Sequence, residues 1–595
     1  MLTPTSEILA RIRKNSEEHS DGVYTRIYRY LLREDTYYTA YQKLYPNKGA
    51  GTKGVDDDTA DGFGKEYIIQ IIEELKNLTY EPKPVRRIQI PKANGKKRPL
   101  GIPTFRDKLV QEVIRQILEA IYEPLFSKHS HGFRPNRSCH TALKELNNEF
   151  TGTKWFVEGD IRGCFDNIKH EKLISLLSDK IKDSKFINLI RKFLKAGYLE
   201  KWKYNKTYSG TPQGGILSPI LANIYLHELD KKVEKMQEGF YSKGGKVNPS
   251  YYEIKNQRAK LRKLYKKTGD KTILIKIRKL GVEQRRTPCT MPTDKKIAYV
   301  RYADDFIVGI KGNRTDAEDI KQELKDFLLT NLKLELSEEK TKITHSAENA
   351  RFLGYDISVR RNTKVKRTKT GIKKRTLNYM VQINIPLKEK IEQFLYKEKY
   401  AKQDKTGKLA PKSNSRHLYK TDLEILDTYN AITRGICNYY NIASNRNKLN
   451  YFFYIMEYSC LKTLANKHKT TISKIYQKYR VGKSWGIPYE TKKGKKTKMI
   501  LRLKDIKKEA KFYQDNDEIK IPHYLRQRSS LEQRLKAHRC ELCGVEDDET
   551  RYEVHHVNKL KNLKGKESWE IAMIARKRKT LVVCHECHMK IHYAS

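Results

Sequence analysis

The segment from Ile297 to Ile310 constrains this chain more than any other. Ile297-Ala298-Tyr299-Val300-Arg301-Tyr302-Ala303 and Phe306-Ile307-Val308-Gly309-Ile310 have the composition of strands, and Asp304-Asp305 stand between them. The pattern predicts a hairpin with a tight turn and two adjacent carboxylates at its tip. Ionised carboxylates taken from water without partners are strongly disfavoured, so the tip needs a compensating charge. Oxygen-only ligands suit Mg²⁺, and two such ions about 3.5–4 Å apart clamp the attacking and leaving oxygens in phosphoryl transfer. That chemistry requires a third carboxylate from elsewhere in the chain.

Asp160 is the candidate. Trp155-Phe156-Val157-Glu158-Gly159-Asp160-Ile161 is an apolar run that meets an acid near its end, and Arg162-Gly163-Cys164-Phe165-Asp166 follows as a turn. A bare Asp-Asp pair is ordinarily a solvated turn. Two apolar strands around Asp304-Asp305, with the same strand, acid and turn order at Asp160, favour a metal site instead.

The formal charge of +51 over 595 residues is far beyond what solubility requires. It predicts a polyanionic partner, because Lys and Arg that neutralise phosphates release counterions and supply non-specific affinity. Thirty-eight Tyr offer rings for stacking on unpaired bases, although most belong in cores or strands. The first 18 residues lack the apolar core and cleavage site of a secretory signal, and no stretch reaches the roughly 18 consecutive apolar residues of a membrane span. Of nine Cys, four form two Cys-x-x-Cys pairs near the C-terminus, which points to a reducing compartment and a metal site rather than disulfides. These features predict a cytoplasmic protein with no membrane partner.

Residues 1 to about 80 read as helices broken by the Gly-rich loop Asn47 to Gly54. From Val85 the pattern is strand-like, with Arg86, Arg87, Lys92, Lys96, Lys97 and Arg98 around an Asn94-Gly95 turn; basic residues on such a hairpin suit a triphosphate or template backbone. Adjacent glycines in Gly210-Thr211-Pro212-Gln213-Gly214-Gly215 allow close approach to a ligand, and Ser218-Pro219 reads as an N-cap followed by proline at the first helical position. A charged insertion spans Lys231 to Lys296, with helix-like Tyr252 to Lys267 offering a basic surface for RNA. Thr315-Asp316-Ala317-Glu318 reads as a capping box opening a helix with Ile320, Leu324 and Phe327 on one face. The basic run Lys364 to Arg375 precedes helix-like sequence ending in Arg434-Gly435-Ile436-Cys437-Asn438-Tyr439-Tyr440-Asn441, whose tyrosine pair suits a core. From 481 to about 535 the chain is Lys-rich and without clear periodicity.

At the C-terminus, Cys540, Cys543, Cys584 and Cys587 suit a tetrahedral Zn²⁺ site that supplies folding energy to a small module. His588 and His592, spaced i, i+4, share one helical face and are able to bind one metal together. Glu553-Val554-His555-His556 lies between the Cys pairs.

Tyr302-Ala303-Asp304-Asp305 resembles the reverse transcriptase signature. With Arg98-Pro99-Leu100-Gly101-Ile102-Pro103, His131-Gly132-Phe133-Arg134-Pro135, Gly159-Asp160, Thr211-Pro212-Gln213-Gly214-Gly215, Leu217-Ser218-Pro219 and Phe352-Leu353-Gly354-Tyr355, the order of blocks is similar to proteins encoded by mobile group II introns. The tail resembles an HNH endonuclease. The resemblance implies an α+β chain: a right-hand polymerase of fingers and palm, a helical thumb and maturase domain, and a C-terminal zinc-containing HNH module of ββα-metal type. The expected divisions are an N-terminal extension (1–84), fingers and palm (85–361), thumb and maturase (362–480), a DNA-binding segment (481–535) and the nuclease (536–595).

The same resemblance implies site residues. Asp160, Ile161, Asp304 and Asp305 would hold Mg²⁺. Lys92 and Arg98 would bind the triphosphate, Gln213 would stand beside the incoming nucleotide, and Phe165 would block a ribose 2′-hydroxyl. His555, His588 and His592 would hold the nuclease's divalent ion, with His556 as general base. One departure is visible: Lys579-Thr580 occupies the place expected for the middle Asn, and Asn558 is near but not clearly equivalent. The implied function is RNA-directed DNA synthesis, splicing assistance to the parent intron RNA, and DNA nicking in target-primed reverse transcription. Its partners would be intron RNA, target DNA and dNTPs in a nucleoid-associated ribonucleoprotein of a bacterial or organellar host, with a homodimer as one admissible assembly. The competing readings are an RNA-binding maturase without active nuclease or polymerase, a DNA-binding zinc ribbon at the tail, and a retron-type enzyme, which would leave the maturase-like segment and the tail unexplained.

Overall fold

The computed structural model describes residues 3–593 except 48, 92–94, 96, 201–202, 206, 208, 211–213, 242–247, 288, 290–294, 363–365, 368–369, 375–377, 405, 492–493 and 507–529. Lys92 and Gln213 therefore lie outside the described residues. So do Asn94, part of the basic run from Lys364 to Arg375, and much of the segment from 481 to 535. Among the described residues no helix is long and apolar enough to cross a membrane.

The chain begins with helices α1 (Thr5–Glu18) and α2 (Glu34–Leu44), a loop, the two-residue strand β1 (Phe63–Gly64) and α3 (Lys65–Lys76). Strands β2 (Val85–Pro91) and β3 (Lys97–Ile102) pair as an antiparallel hairpin, and Gly95 in its loop has a φ of 80°, a conformation glycine reaches without strain. Helix α4 (Phe105–Tyr122) follows; Thr104 caps it by accepting from the Asp107 amide at 3.1 Å, and most of the helix is buried. Next come α5 (Cys139–Glu149), β4 (Trp155–Asp160), the short α6 (Cys164–Asn167), α7 (His170–Lys180) and α8 (Ser184–Lys195). Strands β5 (Tyr198–Glu200) and β6 (Lys203–Asn205) complete a four-stranded sheet in the order β3-β2-β5-β6.

Helix α9 runs from Ser218 to Phe240. Ser218 is not its cap, as the sequence suggests; it is already helical and buried, and Leu217 precedes it without a side-chain cap. The charged insertion is a helical pair, α10 (Pro249–Thr268) and α11 (Lys271–Arg286), with 13 Lys and Arg against two Glu. Strands β7 (Lys296–Tyr302) and β8 (Asp305–Lys311) form the expected hairpin, followed by α12 (Arg314–Asn331) and β9 (Lys342–His345). The capping box of α12 is built by Asn313 and Asp316, not by Thr315, because the reciprocal backbone bonds need the residue before the first helical turn. Ile320 and Leu324 are buried as expected, and Phe327 packs partly buried beside them.

The palm sheet has the order β7-β8-β4-β9. Strand alternation divides its side chains between two cores: Val157, Tyr299, Val308 and Ile310 face the one shared with α4, α9 and α12, while Phe156, Ala298, Val300 and Ile307 face the one shared with α5 and the thumb.

Beyond the palm, β10 (Ala350–Phe352) and β11 (Tyr355–Val359) turn at Leu353-Gly354, β12 (Lys366–Arg367) pairs β13 (Lys373–Lys374), and β14 (Val381–Asn384) pairs β11. Helix α13 (Gln393–Lys397) and the hairpin β15 (Ala401–Gln403) and β16 (Leu409–Pro411) lead to α14 (Asp422–Tyr439), α15 (Leu449–Lys467) and α16 (Ile472–Lys478). Tyr439 and Tyr440 seat this helical unit on the palm: their hydroxyls donate to the carbonyls of Leu353 and Gly354 at 2.6 and 3.3 Å. Strands β17 (Arg480–Val481), β18 (Ser484–Thr491) and β19 (Gly494–Met499) form an antiparallel sheet. Its Trp485 and Ile487 are buried in the thumb core and Asn430 of α14 donates to the Met499 carbonyl at 2.9 Å, so the polypeptide has no structural break at residue 480.

The tail comprises α17 (Ser530–Lys536), β20 (Tyr552–His556), α18 (Ser568–Arg576), β21 (Thr580–Cys584) and α19 (His585–Tyr593). The antiparallel pair β20–β21 running into α19 is the ββα arrangement. It does not stand apart from the N-terminal region: β1 adds to β20 as a third strand, with Phe63 opposite Val554 and Gly64 opposite Glu553. Phe63 is fully buried, its ring stacked on Tyr41 of α2 at 4.0 Å.

Candidate functional site

The register of the palm sheet assembles the first site. Asp160, the last residue of β4, is the direct cross-strand partner of Asp305, the first residue of β8, and Asp304 stands next to it in the turn. Facing residues of an antiparallel pair are only about 4.5–5.5 Å apart at Cα, so three carboxylates converge on one edge. Gly159 makes this possible, because a Cβ there would lie 2.1 Å from the Phe306 ring that packs beneath the carboxylates.

The turn is held from below by Arg301. Its side chain is fully buried, pairs with Asp230 of α9 through Nε and Nη2 at 2.7 and 2.6 Å, and donates to the Ala303 carbonyl at 2.9 Å. Ala303 has a φ of 57°, so this carbonyl anchor holds the turn in a left-handed conformation that a non-glycine residue rarely adopts. The His131-Gly132-Phe133-Arg134-Pro135 block lies against it. The His131 amide donates to the Arg301 carbonyl at 2.9 Å, and a Cβ on Gly132 would meet the Ala303 nitrogen at 2.4 Å.

Desolvation in the cleft and the negative charges of Asp304 and Asp160 push the Asp305 carboxyl up to about 7; desolvation also raises Asp304, against the pull of Arg98 and Lys340. Two carboxyls whose ionisation is opposed, beside the third of Asp160 and with oxygen as the only donor, fit a hard divalent cation. Lys340 shares the cleft, its Nζ 3.0 and 2.8 Å from the two Asp160 oxygens. Nothing in Ser337-Glu338-Glu339-Lys340-Thr341 marks that residue in the sequence. Ile161 is buried in a bridge with Leu336, so its contribution to an ion is limited to its backbone carbonyl. Arg98 is exposed on β3, and Phe165 packs half-buried at the start of α6.

The second site is the four-cysteine group. Donor atoms of Cys540, Cys543, Cys584 and Cys587 lie within 4.8 Å of one another, and the Cys543 and Cys584 sulfurs are 3.8 Å apart. Tetrahedral Zn²⁺ with bonds of about 2.3 Å separates its sulfurs by roughly 3.8 Å, so the set fits.

The third site gathers His555 from β20 with His588 and His592 from α19, and adds a residue the sequence does not suggest, Asp61 from the loop before β1. His588 Nε2 and His592 Nε2 are 3.3 Å apart. Asp61 Oδ1 is 3.2 Å from His555 Nδ1 and 3.4 Å from His588 Nε2, and Oδ2 is 2.7 Å from His592 Nε2. Glu553 orients the set from behind, accepting from His588 Nδ1 at 2.6 Å. Burial opposes charge on His588, but Asp61 and Glu553 outweigh it and lift its pKa to about 9. His555 is buried beside the Trp569 ring, and among the described residues neither of its ring nitrogens makes a hydrogen bond of good geometry. A buried imidazole left in that state fits a metal ligand.

His556 is the immediate neighbour of this group but faces the N-terminal region. Its amide donates to Asp61 Oδ1 at 2.6 Å and its Nε2 lies 3.0 Å from the Tyr45 carbonyl, while burial lowers its pKa. At the departure, Lys579 reaches the Pro46 carbonyl at 3.3 Å, and Thr580, the cross-strand partner of His556, accepts from Arg534 at 3.2 Å. Asn558 lies against Gly51, whose Cβ would be 2.4 Å from its side chain.

A palm with three edge carboxylates and a ββα module whose clustered histidines could hold a metal have the arrangement of a polymerase joined to a nuclease. Residues 90–357 match the family described as reverse transcriptase (RNA-dependent DNA polymerase), 378–520 the type II intron maturase, and 540–588 the AI2M/AI1M-like HNH endonuclease. The group II intron-encoded protein LtrA of Lactococcus lactis subsp. cremoris is 56% identical over 99% of each chain. An uncharacterized 91 kDa protein in cob intron of Schizosaccharomyces pombe is 38% identical over 95% of this chain and 69% of its own. The putative COX1/OXI3 intron 2 protein of Saccharomyces cerevisiae is 34% identical over 98% of this chain and 68% of its own. The chain belongs to the group II intron-encoded proteins, as a multifunctional member with reverse transcriptase, maturase and HNH endonuclease domains.

Proposed function

We propose that Asp160, Asp304 and Asp305, with the Ile161 carbonyl, bind Mg²⁺ and carry DNA synthesis on an RNA template. The bound ions supply the charge that favours ionisation of the primer 3′-hydroxyl and stabilises the transferring phosphate. The chain's own part is to fix three carboxylates on one edge through the Asp160–Asp305 pairing, which is the observation that carries the reading. Arg98, with Lys92 from the family pattern, binds the triphosphate, Gln213 stands beside the incoming nucleotide, and Phe165 excludes a ribose 2′-hydroxyl.

In the nuclease, His555, His588 and His592 bind the divalent ion, His556 takes the proton from water, and Cys540, Cys543, Cys584 and Cys587 hold structural Zn²⁺. The N-terminal extension to 84, fingers and palm to 361, thumb and maturase to 480, DNA-binding segment to 535 and nuclease to 595 are functional divisions of a chain whose cores are continuous. Intron RNA is the bound partner, and target DNA, nicked by the nuclease, supplies the primer end within a nucleoid-associated ribonucleoprotein.

The test is separation of function in the full chain with its RNA. Asp304→Ala should abolish primer extension while nicking and splicing assistance persist, and His556→Ala should abolish nicking while extension of a supplied primer persists. Extension at the unmodified rate in Asp304→Ala, or nicking at that rate in His556→Ala, refutes the corresponding assignment.

A further inference from the structure

We propose that Asp61 is a fourth ligand of the nuclease ion, and that by filling this position it holds the nuclease closed against the N-terminal region until the two separate. The inference rests on the histidine metal site proposed above and goes beyond it, since Asp61 lies some 490 residues from His555 in the chain and outside the segment that matches the endonuclease family.

The first support is metric. A tetrahedral ion with bonds of about 2.0–2.2 Å puts neighbouring donor atoms roughly 3.3–3.6 Å apart. The His588–His592 and Asp61–His588 separations of 3.3 and 3.4 Å fall at that spacing, Asp61–His555 at 3.2 Å lies just below it, and the second Asp61 oxygen is 2.7 Å from His592. The second is chemical. A catalytic ion of this kind keeps three protein ligands and one position for water or substrate, whereas four protein ligands make a closed, structural site. Three imidazoles and one carboxylate make the closed set, and the carboxylate takes the place a phosphate oxygen of DNA would need. The third concerns the base. His556 is tied to the same N-terminal region, its Nε2 3.0 Å from the Tyr45 carbonyl and its amide donating to Asp61 Oδ1 at 2.6 Å, so the candidate base is held in place by the region that supplies the fourth ligand. The ligand position is thus filled by Asp61, and His556 is held by Tyr45 and Asp61 of the same N-terminal region.

That stretch is docked, not merely nearby. Gly62 donates to the Val554 carbonyl at 3.0 Å, β1 pairs with β20, and a Cβ on Gly64 would meet the Tyr552 carbonyl at 2.6 Å, so the strands approach as only glycine permits. The strand pairing within that contact is only two residues long, and it is the part that must release when DNA competes for the site.

The experiment uses the full chain with its RNA in an Asp304→Ala background, which removes the polymerase ion, and reads Mn²⁺ binding by electron paramagnetic resonance alongside nicking of target DNA. Asp61→Asn should weaken Mn²⁺ binding by about tenfold or more, since loss of even a group that only orients a ligand costs 10–100-fold, and should raise nicking several-fold. Gly64→Val, which breaks the strand pairing without touching a ligand, should do the same. Unchanged Mn²⁺ affinity in both variants overturns the ligand assignment, and weaker binding with reduced nicking overturns the closed state and makes Asp61 a required catalytic ligand. His556→Ala added to Asp61→Asn should abolish the gain; persistent nicking in the double variant overturns the underlying HNH reading instead.

Discussion

Arg301 and Asp230, both fully buried, face each other through Nε–Oδ1 and Nη2–Oδ2 contacts of 2.7 and 2.6 Å, joining the strand that enters the catalytic turn to the long palm helix α9. Tyr299 adds its hydroxyl to Asp230 at 2.9 Å, and Arg301 also holds Ser130 at 2.8 Å. This buried pair thereby serves the geometry of Asp304 and Asp305 without touching substrate.

Removing one partner leaves the other charge stranded in the core, at a cost of about 3–5 kcal/mol. Asp230→Asn should therefore lower the thermal midpoint and reduce primer extension by more than its effect on RNA binding. Circular-dichroism melting and extension assays decide it; an unchanged midpoint would show that the pair is dispensable.

Gly159→Ala should displace the Phe306 ring, since the new methyl would lie 2.1 Å from it. Overpacking of this kind costs about 1–3 kcal/mol, and here the displaced residue adjoins Asp305. Extension should fall at least tenfold, and Phe306→Leu in the same chain should restore part of it. Failure of that second substitution to rescue would mean the clash is relieved elsewhere.

Glu112 on α4 supplies a stability switch with pH. Burial alone would raise its pKa, but Arg115 at 2.8 Å and Lys43 at 2.9 Å outweigh it and hold the carboxyl at about 2, below the ordinary 4.5. A carboxyl depressed on folding stabilises the fold fully above its unfolded value and loses that contribution as pH falls through the folded one. The melting difference between the unmodified protein and Glu112→Gln should be constant from pH 7 to about 5 and shrink from there toward pH 2. Lys43, whose pKa burial lowers to about 8, offsets part of the gain.

Cys584→Ser should release zinc and abolish nicking while primer extension continues. Because β20 and β21 share one core with Phe63 and α2, limited proteolysis should then cut the loop between α2 and β1 as well as the tail. Zinc content equal to that of the unmodified protein would remove Cys584 from the ligand set.

The α10–α11 pair presents a cationic surface whose lysines are mostly exposed. Lys260, Lys263 and Lys267 replaced together by Gln should weaken intron RNA binding and flatten its dependence on salt, by roughly 0.7–0.9 in the log–log slope for each phosphate that is no longer neutralised. An unaltered slope would place the RNA-binding surface elsewhere on the protein.

The sequence by itself determined what depends on neighbours in the chain. Two apolar runs of strand composition made the hairpin around Asp304 and Asp305 legible, two-residue gaps made the cysteine pairs legible, and helical spacing put His588 and His592 on one face. These signals survive because strand period, helical period and ligand spacing are local properties. The helix starts at Asn313 and Leu217 lie one or two residues from the caps the sequence suggests, since Ser and Thr near a helix start offer several equivalent caps and only the backbone selects one. Tertiary structure alone decided that Lys340 reaches Asp160, that Arg301 is answered by Asp230, that Trp485 belongs to the thumb core, and that Asp61 joins the nuclease histidines. Each of these is a charge or ring whose partner lies tens to hundreds of residues away, where no periodicity reaches. What chose the partners was the cost of leaving buried charge and apolar surface unmatched, a quantity that exists only once the chain has folded.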